Sequence, residues 1–178
     1  MPKNNFFEER VEGKVLFKGH IITLERDIIR LVNGQKSERE IIKVSNAVAI
    51  VAIHNENILL VRQYRYALGC SLLELPAGRL SENEEPMTCA QRELREETGY
   101  CANLTSLGSF YMAPGYSNEI IHYFWGKDLT WDPLPLDEGE FLQVETIPWQ
   151  TAVEMTNRGE FSDAKTIMGI LLVLSRKH

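Results

Sequence analysis

Three cysteines in 178 residues are too few for a disulfide framework, and Cys70, Cys89 and Cys101 lack the paired spacing of a metal-thiolate site. A reduced, cytoplasmic chain with free thiols is the expectation. No apolar run reaches the roughly 18 residues of a membrane span, and IMGILLVL (167–174) predicts a packed C-terminal helix instead. Basic residues are in the minority, 19 Lys and Arg against 25 Asp and Glu. The net charge of −6 argues against a nucleic-acid backbone or an anionic membrane as the main partner, since both need a basic surface. Repeats and low-complexity tracts are lacking too. A hydrophobic share of 44% against 25% charged residues predicts one ordinary globular domain, with room for a small extension.

Apolar and polar residues alternate through VLFKGHIITLERDIIRL and EREIIKV, with Asn33-Gly34 between them as a hairpin signal. This predicts a small antiparallel sheet over residues 1–45, which is marginal alone and needs a second surface to pack on, either the rest of the chain or a second copy. Residues 46–178 read as the main domain. AVAIVAI (47–53) is a buried-strand run, Asn55-Glu56-Asn57 a turn and ILLVRQYRYA (58–67) the returning strand. LLELPAG (72–78) reads as one short strand. Strands at 106–112, 120–126 and 142–147 follow, with a polar, proline-containing segment over 127–140. Two helices, near Trp149–Asn157 and Asp163–Leu174, close the chain. Strands mixed with three helices predict an α+β sandwich around a mixed sheet.

The segment from Gly78 to Tyr100, GRLSENEEPMTCAQRELREETGY, is crowded with glutamate. Pro86 suits a first helical position and Gly99 the residue past the last turn. On that helix Glu93, Glu96 and Glu97 fall within roughly a 100° arc, beside an apolar stripe of Met87, Ala90 and Leu94. Like charges at i,i+4 cost about 0.2–0.5 kcal/mol, and acids at a helix C-terminus cost a similar amount again. Acidic runs ordinarily face water. Here Arg92 and Arg95 on the flank leave the central carboxylates short of partners, and a hard divalent ion that prefers oxygen ligands would complete the set.

Gly78, Glu84, Arg92-Glu93-Leu94, Glu96-Glu97 and Gly99 resemble the Nudix box in residue type and spacing; the last position, usually aliphatic, is Tyr100. The resemblance implies an α/β/α sandwich and a hydrolase of nucleoside diphosphates linked to another group. Pro114, 15 residues after Gly99, is similar to a feature of the ADP-ribose pyrophosphatase branch. So are Asp137-Glu138-Gly139-Glu140, the closing GEFSDAKTI (159–167) and Arg39-Glu40-Ile41.

What the resemblance implies is specific. The Ala77 carbonyl, Glu93, Glu97 and Glu140 would ligate magnesium, or manganese, with Glu96 sharing it; Glu138 would orient or deprotonate the attacking water. Arg39, Glu40, Arg65 and Glu119 would contact the ADP-ribose moiety. Arg62 reads as either a phosphate contact or a salt bridge at a sheet edge. His20 and Ile21 stand where the branch often has aromatics that stack on adenine, with Tyr64 and Tyr66 as other rings. Trp125, Trp131 and Trp149 read as core or interface anchors; His54, His122 and His178 carry no assignment. The branch also implies a homodimer that exchanges the N-terminal region. The expected function is hydrolysis of ADP-ribose to AMP and ribose 5-phosphate. Alternatives are another nucleoside diphosphate sugar such as GDP-mannose, and a catalytically silent ADP-ribose sensor, against which the intact glutamates argue.

Overall fold

The computed structural model describes residues 6–176; His178 lies outside them. The chain divides into two compact units, one made of the residues up to Asn46 with Tyr111–Ile120, the other of Ala47–Phe110 and the residues from Ile121 onward.

In the first unit the alternating pattern forms β1 (Glu9–Lys18), β2 (Ile22–Arg30) and β3 (Lys36–Val44), an antiparallel sheet in that order. The β2–β3 connection contains Asn33 and Gly34. The Asn33 Oδ1 accepts from the Gln35 amide at 3.0 Å, and Gly34 adopts φ 85°, where a glycine is unstrained. Residues 112–119 lie along β3: the Ile42 amide donates to the Tyr116 carbonyl at 2.7 Å, and the Val44 amide to Asn118 Oδ1 at 2.9 Å. Every residue of β1 is exposed, Val15 and Phe17 included.

The second unit begins with β4 (Ala47–His54) and β5 (Asn57–Arg65), joined by Asn55 and Glu56, both at positive φ. There follow β6 (Cys70–Glu74), β7 (Ala77–Arg79), α1 (Pro86–Thr98), β8 (Tyr100–Tyr111), β9 (Ile120–Trp131), β10 (Leu142–Pro148), α2 (Trp149–Asn157) and α3 (Ala164–Leu174). The sheet runs β10-β5-β4-β9-β8, with β6 added on β5 and β7 on β4. It is mixed, because β4 pairs with β9 in parallel and with β5 and β7 antiparallel.

The two-residue period of β4 sorts the helices onto opposite faces. Val48, Ile50 and Ala52 pack with Cys89, Ala90 and Leu94 of α1, and each such apolar side chain contributes about 1.5–3 kcal/mol on full burial. Val51 points the other way, toward Gly169 of α3, where a Cβ would come within 3.0 Å of it and 2.5 Å of Leu75. The result is the expected α+β sandwich with a mixed core sheet and a small N-terminal antiparallel sheet.

Four expectations need correction. LLELPAG is two strands, since Pro76 has no amide to donate and the ladder passes from β5 to β4 across it. Strands β8 and β9 are longer than read, because Lys127–Trp131 continues β9 although its residues are mostly exposed. Met87 is exposed, and Cys89 takes its place in the core. Trp131, 65% exposed, is no core anchor; it covers Gly99 and meets Tyr100 edge-on at 5.2 Å. All three cysteines are free thiols. Among the described residues no helix is long and apolar enough to cross a membrane.

Candidate active site

Helix α1 begins with Pro86 at its first position and ends on Gly99, at φ 79°, whose amide donates to the Arg95 carbonyl at 3.1 Å. These ends fix the rotation of the helix over the sheet, so that Leu94 faces the core while Glu93 and Glu97 face β7. Both acids are buried. Gly78 makes room for the first: a Cβ there would lie 1.9 Å from the carboxyl carbon of Glu93. The second accepts the Ala77 amide at 2.8 Å through Oε2.

Arg92 stands among the acids, not on their flank. Its Nη1 donates to Glu93 at 2.7 Å and to Glu96 at 2.8 Å, while Nε and Nη2 form a two-pronged bond with Glu84, each at 2.9 Å. The Arg92 bonds hold Glu84 down to a pKa of about 2. Arg95 turns away to Asp132, with Nε at 2.9 Å from its carbonyl and Nη2 at 3.1 Å from its carboxylate. Glu84 is the member of this cluster that helix geometry could not supply, because it reaches in from the preceding loop.

Even so, the two innermost carboxylates are under-compensated. Burial pushes Glu93 up to about 7, against the opposing pull of Arg92, with Glu96 and Glu140 adding repulsion. Burial likewise pushes Glu97 up to about 8, opposed by the Ala77 amide and reinforced by Glu93 and Glu140. Glu140 therefore acts on the same point as the helix acids, from the loop before β10. That loop turns at Gly139, φ 84°, with the Glu140 amide on the Asp137 carbonyl at 3.1 Å. Glu138 is exposed on the same turn.

A carboxylate-only donor set with excess negative charge fits a hard divalent ion such as magnesium. Among the described residues, however, no three His, Cys, Asp or Glu side chains form a ready ligand cluster. Arg92 Nη1 draws one oxygen each of Glu93 and Glu96 to itself, and the Ala77 amide engages Oε2 of Glu97.

Arg65 lies at the end of β5 and donates through Nε and Nη2 to Glu74, both at 2.7 Å; Glu97 is close enough to act on its charge. Glu74 and Lys165 were not singled out from the sequence, although a glutamate inside the apolar LLEL is an available signal. Arg62 is a surface salt bridge to Glu145 across β5 and β10. The remaining expected contacts belong to the first unit. Arg39 donates to Glu8 at 3.1 Å and to Ser37 Oγ at 3.1 Å, Glu40 stands opposite Arg26, and the Glu119 amide donates to Ser117 Oγ at 3.1 Å. Of the possible stacking residues, His20, Ile21, Tyr64 and Tyr66 are all exposed. His54 stacks at 5.5 Å on Tyr100, and His122 Nδ1 lies 2.7 Å from Ser109 Oγ.

Residues 43–168 match the NUDIX domain. The chain is 39% identical to the methanol dehydrogenase activator of Bacillus methanolicus over 93% of its length and 91% of the relative's. It is also 39% identical to the ADP-ribose pyrophosphatase of Bacillus subtilis (strain 168), over 92% and 90%. A solved structure, an ADP compounds hydrolase, superimposes with a TM-score of 0.86 at 25% identity, covering 94% of this chain and 92% of that one.

Proposed function

Because the chain belongs to the Nudix family, we propose that it is a divalent-metal-dependent pyrophosphatase of nucleoside diphosphate sugars and that ADP-ribose is its substrate. The observation that supports this reading is the burial of Glu93 and Glu97 side by side against Gly78 and Ala77, with Glu140 near enough to add its negative charge to both.

The Ala77 carbonyl, Glu93, Glu97 and Glu140 would hold magnesium, or manganese, with Glu96 sharing it. The bound ion supplies charge neutralisation to the diphosphate oxygens and acidity to water. Arg92 keeps the helix acids on one face beforehand. Glu138 takes a proton from the attacking water; the new bond forms between that oxygen and a phosphorus, the bridging P–O bond breaks, and the products are AMP and ribose 5-phosphate. Its place on a turn at Gly139 suits a base that swings onto substrate. Arg65 offers its guanidinium to a phosphate, and Arg39, Glu40 and Glu119 take the rest of the ADP-ribose moiety.

The protein acts as a homodimer. An isolated three-stranded sheet is marginal, and the exposed Val11, Val15 and Phe17 of β1 give a second copy an apolar surface to cover. Light scattering on the eluting protein tests this, a monomeric mass being the contrary result.

The substrate is tested by incubating the protein with magnesium and ADP-ribose, GDP-mannose, NADH or diadenosine polyphosphates and following monophosphate release. AMP from ADP-ribose as the fastest product supports the reading. A faster guanosine sugar overturns the branch, and no turnover on any compound overturns the enzyme and leaves a silent sensor.

A further inference from the structure

Glu74 is 1% exposed within a strand whose neighbours are apolar. Burying a carboxylate costs several kcal/mol unless partners compensate, and a well-packed apolar residue serves stability as well or better. Its partners are specific. Arg65 grips it with two parallel bonds, and Lys165 bonds its Oε2 from the first turn of α3. Lys165 also reaches Asp163 at 3.0 Å; Asp163 caps α3 by accepting the Thr166 amide at 3.0 Å. The Thr166 hydroxyl in turn accepts the Leu75 amide, next to Glu74, at 2.9 Å. The carboxylate is thus tied to α3 through its own side chain and through the adjoining backbone.

Exposure shows which way this assembly faces. The Glu74 side chain keeps 2% of its surface and Lys165 13%, but Arg65 keeps 40%. The two bonds to Glu74 occupy Nε and Nη2, and among the described residues they leave the Nη1 edge of the guanidinium available as a donor. An arginine free in solvent samples many rotamers, whose entropy a ligand must overcome on binding; a clamped one has already lost it.

We propose that Glu74 is a positioning residue: anchored to α3 by Lys165, it holds the Arg65 fork in place to receive a phosphate oxygen of the substrate. This rests on the reading of the protein as a nucleoside diphosphate sugar pyrophosphatase and adds to it a second carboxylate whose duty is orientation rather than metal binding. Arg65 and Lys165 balance Glu74 and Asp163 in charge, so what the array offers is directed hydrogen bonding.

The test compares wild type, Glu74→Gln, Arg65→Lys and the double variant on ADP-ribose with magnesium, with thermal denaturation alongside. Glu74→Gln is expected to raise KM about tenfold with kcat changed less than about threefold, the pattern of lost uniform binding. The double variant is expected to be no worse than Arg65→Lys, since both act through one guanidinium. Glu74→Asp, which keeps the charge but shortens the reach, covers the case in which the amide variant does not fold, and should raise KM in the same direction. A folded Glu74 variant with wild-type KM, or single effects that multiply in the double, overturns the proposal. If wild type hydrolyses nothing in the panel, the functional reading fails by itself. Calorimetric titration of ADP-ribose then compares the same variants, and equal Kd values overturn the positioning role.

Discussion

The Glu93 carboxylate fills the space that a side chain at Gly78 would need, the missing Cβ falling 1.9 Å from its carboxyl carbon. Strand β7 and helix α1 are therefore in register at one point, and the glycine is required for close approach. Gly78→Ala should displace Glu93 and lower kcat/KM for ADP-ribose by about 100-fold or more, while circular dichroism keeps the native signature. Wild-type kinetics would mean that the position of Glu93 is immaterial to turnover.

Arg92 joins three carboxylates from two segments, so its removal leaves several partly buried acids unpaired. Arg92→Ala is expected to cost about 2–4 kcal/mol of stability in urea denaturation. Arg95→Ala, which gives up only an exposed contact to Asp132, should cost less than about 1 kcal/mol.

Acid sensitivity should trace to Glu84. Its folded-state pKa, about 2, lies below the ordinary 4.5, so its contribution to stability is complete above 4.5 and disappears as the pH falls toward 2. Glu84→Gln is expected to flatten the stability profile in that window and to lower stability at neutral pH. Parallel profiles for the variant and wild type would show that the pair with Arg92 contributes nothing.

Thiol reactivity separates the cysteines. Burial pushes the Cys89 thiol up to about 12, whereas Cys70 is exposed. Iodoacetamide at pH 8 should label Cys70 in the folded protein and spare Cys89 until denaturant is added, as mass spectrometry of the peptides would show.

Much of this site was legible in the residues because it depends on local rules. Pro86 and Gly99 delimit α1, and a 3.6-residue period then puts Glu93 and Glu97 on one side and Leu94 on another. The starts of α2 and α3, near Trp149 and Asp163, were legible in the sequence too. What the sequence did not disclose depends on contacts between distant segments. Glu84 captures Arg92 from a loop, which no helical wheel contains. Pro76 splits a strand whose composition reads as continuous. Glu74 looks like an interruption of LLEL until β5 and α3 bring Arg65 and Lys165 to it. Lys127–Trp131 reads as loop because, Leu129 apart, its side chains face water on an extension of β9.

The proposed role of Glu97 as a ligand for a divalent ion that turnover requires is tested most directly by AMP release from ADP-ribose by wild type and by Glu97→Gln, each with magnesium and with EDTA. The prediction is release by wild type with magnesium alone, a drop of about 1000-fold or more for the variant, and an unchanged melting profile. Turnover that persists in EDTA, or a variant that works at near wild-type rate, would contradict it.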